Sequence, residues 1–216
     1  ETEMESYNEI NTSLKESSVG IDGGDYAHVI DFKKNIKIEH LSYSYDHTKS
    51  TVLSDIDLEI KKGEVVGFIG ESGAGKSTLI NILLGLLEPS DGQILCDNID
   101  ISNNIKAWQK NIGYVPQSVY LTDDSVVNNV AFGELDADID FQRIEKAIEY
   151  AQLTDVVSAL DSGLDTQLGE RGVRLSGGQI QRIGIARALY DDPSILVFDE
   201  ASSALDNETE KEIVKS

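Results

Sequence analysis

Gly70-Glu71-Ser72-Gly73-Ala74-Gly75-Lys76-Ser77 is the stretch whose reading decides the fold. Before it, Glu64 to Ile69 follows the turn signal Lys62-Gly63 and reads as a short apolar strand. After it, Thr78 to Leu87 has apolar spacing suited to a buried helix, stopped by Pro89 and the Asp91-Gly92 turn. Glycines, a lysine and a hydroxyl residue between strand and helix make a phosphate-binding loop, and that context gives the pattern its specificity. Without side chains at Gly73 and Gly75 the backbone can wrap phosphates closely, while successive amides and the helix N-terminus supply positive potential. Lys76 would hold the β- and γ-phosphates and Ser77 a magnesium ion. The plain alternative is a tight glycine turn without a ligand, which leaves the Lys76-Ser77 pair unexplained.

Working outward, Ile36 to Tyr45 and Val52 to Ile60 are β-rich, and Gln93 to Cys96 and Asn111 to Val115 read as further strands, the last ended by Pro116. The stretch from Asp124 to Leu160 is helix-rich, with Phe141, Ile144, Ile148 and Ala151 expected on one buried face. After an irregular segment, a helix from Gly177 to Tyr190 leads through Asp191-Asp192-Pro193 into the apolar strand Ile195 to Phe198. Strands alternating with helices imply an α/β layered fold with a largely parallel central sheet. Residues 1–31 carry eight acids, one base (Lys15) and a Ser- and Gly-rich run, the composition of an acidic flexible linker. The folded domain is expected over residues 35–216, with 1–34 as that linker.

The acidic strand end comes next. Ile195 to Phe198 delivers Asp199 and Glu200 at its carboxyl end, where open α/β sheets bind ligands. Asp199 is suited to orienting magnesium through a water, and Glu200 to polarising the water that attacks a γ-phosphate. Alone, the pair reads more readily as a solvated strand exit or a helix cap; the phosphate loop upstream reverses that preference.

Composition closes off other classes. At 216 residues and 40% hydrophobic the chain can bury a real core, and its 18 basic against 39 acidic residues, net −21, would repel a nucleic-acid backbone. So much acid serves either as a solvated surface or as an acidic partner-binding tail. The single cysteine, Cys96, rules out an internal disulfide, and its apolar neighbours make it a buried thiol. The longest apolar runs, such as Ile82 to Leu87, fall far short of the about 20 residues a membrane-spanning helix takes, and no signal peptide opens the chain.

Leu175-Ser176-Gly177-Gly178-Gln179 offers a second helix N-terminus with bare glycine amides to an anion. With this pentapeptide the sequence resembles ATP-binding cassette (ABC) domains, whose signature it matches residue for residue, over roughly residues 36–216. The resemblance implies a phosphate-loop NTPase core with an antiparallel β subdomain and a helical lobe at about 118–185. It implies ATP and Mg2+ as ligands, bound by the phosphate loop with Thr78, and two domains paired head to tail so that Ser176, Gly177, Gly178 and Gln179 complete the partner's site. Tyr45 resembles the aromatic that stacks on adenine, with Tyr43 a competitor on the same strand face. Gln117 resembles the loop glutamine that touches magnesium and the attacking water, so that metal would meet Ser77, Gln117 and Asp199, and chemistry would rest on Glu200, Gln117 and Lys76. Ser203 to Asp206 and Thr166 to Gly172, including Glu170, resemble segments that face the partner chain and a membrane domain.

One departure stands out. The family's switch histidine follows a later strand, whereas His28, His40 and His47 all precede the phosphate loop, so the chain is expected to be a domain truncated at Ser216 and weak in hydrolysis alone. The expected function is that of an exporter or flippase ATPase, held at the cytoplasmic face of a membrane through a transmembrane domain, with a second, identical nucleotide-binding domain and no nucleic acid as partner. A soluble ABC ATPase of a non-transport process is the alternative. Residues 78–174 lack the sustained heptads of relatives with coiled-coil arms. No Asn-Lys-x-Asp run of a GTPase is present.

Overall fold

The computed structural model describes residues 30–45, 51–169 and 175–199, and everything structural below refers to them. Strands β1 (Asn35–Ser44) and β2 (Thr51–Lys61) pair antiparallel with Ile36 opposite Ile60 and Ile38 opposite Leu58. On its other edge β1 pairs antiparallel with β3 (Asp91–Cys96), which turns through Asp97-Asn98 into β4 (Ile99–Asp100). Alternation along β1 puts Ile36 and Ile38 into a core with Ile94 and Cys96, and the extra residue of a bulge returns Leu41 to the same apolar face. Cys96 is buried as expected, and desolvation, with help from the charges of Asp97 and Asp31, pushes its thiol up to about 11.

The β1–β2 ladder is broken by a bulge at His40 and Asp55, both with left-handed backbones (φ 51° and 50°). Their side chains meet there: His40 Nδ1 lies 2.9 Å from Asp55 and 3.7 Å from Asp57. At the sheet's other end, the Asp97 carboxylate accepts from the amides of Lys33, Lys34 and Asn35, fastening the chain's approach to β1. Burial works against the charged form of Asp97, but those three amides hold its carboxyl below the usual range.

Helix α1 (Lys76–Leu83) buries Leu79, Ile82 and Leu83 against this sheet. Trp108 of α2 (Ile105–Gln109) is 1% exposed and donates its indole N–H to the Leu83 carbonyl at 2.7 Å, satisfying the helix end that Gly85 (φ 68°) terminates. Beyond it, β5 (Ile112–Val115) and β6 (Ile195–Phe198) form a parallel pair in the register Val115 opposite Phe198. The helical lobe comprises α3 (Val126–Val130), α4 (Phe141–Tyr150) and α5 (Thr154–Ser158), packed on α6 (Gly177–Leu189). No helix among the described residues is long and apolar enough to cross a membrane.

Three expectations need correction. The segment 64–69 is extended but carries no strand pairing, and Val65 and Ile69 are 82% and 99% exposed. β propensity expresses fit to a pleated surface and does not itself supply a neighbouring strand. The largely parallel central sheet is thus represented by β5 and β6 alone among the described residues. Phe141, expected on the buried face of α4, is 57% exposed, because it is the first residue after the cap Asp140 and points away from the stripe that Ile144, Ala147 and Ile148 make. Ile30 and Phe32, inside the stretch expected to be linker, are 2% and 4% exposed, and Asn111 Nδ2 donates to the Ile30 carbonyl at 2.7 Å, so both residues belong to the packed core.

Candidate nucleotide site

Gly75 sets the geometry of the phosphate loop. It caps α1 with φ 91°, and a Cβ there would lie 2.8 Å from the Leu53 side chain and 3.2 Å from the Val52 carbonyl, so only glycine lets the loop rest on β2. Gly73 also has a left-handed backbone (φ 82°), with open space where its Cβ would stand. No side chain caps α1, so its first amides keep their donors for an anion. Lys76 folds back across the loop, its Nζ donating to the carbonyls of Gly70 and Glu71, each at 2.8 Å. The ammonium therefore sits over the amides that would face a phosphate. Ser77 is exposed beside it and Thr78 is buried. Uncapped amides, two glycines with left-handed backbones, a lysine and an exposed hydroxyl are a donor set that fits a nucleotide phosphate with Mg2+.

The two candidate tyrosines sit in different surroundings. Tyr43 is half-buried and packs against the sheet core, whereas Tyr45, just past the end of β1, is 43% exposed. The Tyr45 hydroxyl lies 3.3 Å from Thr78 Oγ1 and its ring stands edge-on to Tyr43, centroids 5.0 Å apart at 88°. Tyr45 is thus the ring held at the head of α1.

Parallel pairing brings the other two candidates together. Because Val115 faces Phe198 and the Asp199 amide donates to the Val115 carbonyl at 3.0 Å, Gln117 and Asp199 leave the same end of the two strands. The Tyr114 hydroxyl reaches Asp199 Oδ2 at 3.5 Å, and burial, then the Asp199 charge, push that phenol above its ordinary value. Ile112 and Ile195 pack on the same core as Leu79 and Ile82 of α1, so phosphate loop and strand ends are joined through one core. Glu200, Glu170 and Ser203 to Asp206 lie outside the described residues.

The signature opens α6. Ser176 is its cap in a reciprocal box: the Gln179 amide donates to Ser176 Oγ at 3.3 Å and the Ser176 amide to Gln179 Oε1 at 2.8 Å. Gly177 faces open space beside the exposed Ser176, so the capped head of α6 is open to solvent. Gly178 is half-exposed in the first turn and its carbonyl accepts from Arg182 Nε at 3.4 Å.

The pattern gave no warning of Tyr114, Asn129 or Arg187. Asn129 is 0% exposed inside α3, and Arg187 closes α6. The only available signal was the amide pair Asn128-Asn129 in the otherwise apolar run Val126 to Ala131, which does not single out Asn129, since carbonyl positions leave no mark on periodicity.

Comparison with known proteins agrees with this geometry. A family model described as ABC transporter matches residues 53–203. An ATP-dependent lipid A-core flippase of Ralstonia nicotianae is 42% identical over 194 residues, covering 89% of this chain and 32% of its own length. The ABC transporter ATP-binding protein YwjA of Bacillus subtilis is 45% identical over 196 residues, covering 90% and 34%. The chain thus spans about a third of the length of these curated relatives. Among solved structures, a bacterial Atm1-family ABC exporter with ATP bound superposes with a TM-score of 0.77 at 31% identity, covering 98% of this chain and 37% of that one. With a family model matching most of the sequence and phosphate loop, strand ends and signature helix in the folded arrangement described, the chain belongs to the ABC transporter family.

Proposed function

We propose that this chain is the ATP-binding and ATP-hydrolysing domain of an ABC exporter or flippase. The observation that carries the reading is the phosphate cradle, in which Gly75, the uncapped head of α1 and Lys76 converge. Lys76 and the loop amides hold the β- and γ-phosphates, Ser77, Gln117 and Asp199 are the residues that would hold Mg2+, and Tyr45 supports adenine. The metal, when bound, neutralises charge on the phosphate oxygens. Glu200 orients and deprotonates the attacking water, and Gln117 fixes its position. Ser176 and Gly177, exposed at the head of α6, complete the site of a second copy of this domain. ATP is then shared between two chains, and its hydrolysis drives a transmembrane domain at the cytoplasmic face of a membrane. The relatives that are a lipid A-core flippase and an ATP-bound exporter support this direction of work.

In the transporter that contains this domain, Glu200→Gln is expected to abolish turnover while sparing ATP binding, with an ATP-bound dimer accumulating on size exclusion. Unchanged turnover would remove Glu200 from the role of base.

A further inference from the structure

Which way the Asp199 side chain faces follows from the two cores on either side of β5 and β6. Val115, Leu196 and Phe198 pack into the core that holds Ile183 and Ile185 of α6, and a Cβ on Gly113 would lie 2.4 Å from the Ala188 carbonyl of that helix. Ile112 and Ile195 pack on the opposite side, into the core that holds Leu79 and Ile82 of α1. Successive strand residues alternate between faces, so Tyr114, opposite Val197 in the ladder, shares the α1 side with Ile112, Ile195 and Val197. The ladder runs on past β6, because the Asp199 amide donates to the Val115 carbonyl, and Asp199 therefore comes out on that same side. This is the face covered by the helix into which the phosphate loop leads. There the hydroxyl of the half-buried Tyr114 reaches Asp199 Oδ2 at 3.5 Å, and among the described residues it is the side chain that meets this carboxylate.

We propose that Tyr114 is a positioning residue for the metal that accompanies ATP, its hydroxyl holding Asp199 Oδ2 so that Oδ1 is left for Mg2+ or for a water on it. A carboxylate turns readily about its last bond unless one oxygen is held. Carboxylates that serve a metal are aligned by the hydrogen bonds they accept from groups that never touch the metal. A phenol suits that task for a reason of charge. Lysine or arginine in its place would hold the carboxylate but offset the negative charge that draws a cation, whereas a neutral donor aligns it and leaves the charge intact. Tyr114 also moves with the residue it orients, because each residue of β5 is paired with β6. At 3.5 Å the contact is long for a hydroxyl donor, and hydrogen bonds at catalytic sites are often long before the ligand arrives and tighten with it.

This rests on the proposed ATPase reading, and the test separates the two. The full transporter is titrated with the β,γ-imido analogue of ATP, once with Mg2+ and once with EDTA. Tyr114→Phe keeps the ring and removes only the hydroxyl. Its affinity for the Mg2+-loaded analogue should fall about 2- to 12-fold, the worth of one hydrogen bond of ordinary strength, while the metal-free affinity stays within about twofold. In an Asp199→Ala background, where no carboxylate remains to align, adding Tyr114→Phe should change nothing further. Equal losses with and without metal overturn the proposal, because they are the mark of a merely structural ring. A Tyr114→Phe protein with wild-type affinity in both titrations also overturns it, as does a loss that persists undiminished in the Asp199→Ala background. If the double variant does not fold, the comparison of Mg2+ with EDTA on Tyr114→Phe alone decides. A wild-type transporter that binds the analogue in neither titration sinks the nucleotide reading, and the proposal with it. One that binds it equally well in both keeps the nucleotide site and overturns the metal role.

Discussion

Replacing Tyr45 by alanine removes a ring that is already held in place, which makes the energetic consequence calculable. The hydroxyl is tethered 3.3 Å from Thr78 Oγ1 and the ring is braced edge-on by Tyr43 at 5.0 Å, so little side-chain freedom remains to be lost when a base lies on it. Stacking a base on an aromatic contributes about 1–3 kcal/mol by alanine substitution. That corresponds to a roughly 5- to 150-fold rise in the Kd for Mg·ATP. Because Tyr45 is 43% exposed, its removal should barely move the melting temperature. Tyr43 should behave in the opposite way. Deleting a fully buried aromatic costs about 3–5 kcal/mol, so a half-buried one packed on the sheet core should cost about 2 kcal/mol. At about 2–4 °C per kcal/mol for a domain of this size, Tyr43→Ala should melt roughly 4–8 °C lower with a near-normal Kd. Tyr45→Phe, which keeps the ring and drops the tether, should bind within about twofold of wild type, since the stacking face that carries the energy remains. Isothermal titration and thermal denaturation on the three variants separate the effects. A Tyr43→Ala protein that melts normally and binds more weakly than Tyr45→Ala would refute the assignment.

Two further outcomes concern the antiparallel sheet. Gly92 has φ 82° and a Cβ there would stand 2.5 Å from the carbonyl oxygens of both Glu39 and His40, so Gly92→Ala should destabilise by about 2–4 kcal/mol, seen as a lower denaturant midpoint at unchanged m. At the bulge, the hydrogen bond to Asp55 and then the charges of Asp57, Asp55 and Glu39 raise His40 above its ordinary 6.5. The folded form therefore holds the proton more tightly, and the stabilisation is complete below about pH 6.5 and disappears as pH rises through the higher folded value. The melting temperature should fall across that window in the wild type and lose this dependence in His40→Asn, which keeps a residue at ease in the left-handed region. An identical slope in both proteins would remove His40 from the effect.

What sequence could and could not reveal follows from how each feature is encoded. The glycine loop and the helix opened by Ser176 were legible because each is a run of residue identities at fixed spacing, and the folded chain places Gly75 and Ser176 as the caps of two helices. Most element positions were legible for a related reason: alternation at Ile36 and Ile38 and the stripe at Ile144, Ile148 and Ala151 record burial directly. Phe141 misled because hydrophobicity marks a candidate for burial and not the direction a first-turn residue faces. Segment 64–69 misled because pairing requires a neighbour elsewhere in space. The junction in which Arg187 donates to the Asn129 and Tyr120 carbonyls was invisible since almost every bond in it ends on a backbone carbonyl, which any sequence supplies.

The central claim is that the loop from Gly70 to Ser77 binds the phosphates of ATP, and calorimetric titration of Mg·ATP into the wild-type chain and its Lys76→Ala variant tests it most directly. Lys76 Nζ lies over the loop, and its hydrogen bonds to phosphate would be of the charged kind, contributing about 1.5–3 kcal/mol each. Wild type should bind one ATP per chain, and Lys76→Ala should bind about 10- to 150-fold more weakly at unchanged melting temperature. Equal affinities in the two proteins, or a wild type that binds no ATP, would contradict the assignment of this loop as the nucleotide site.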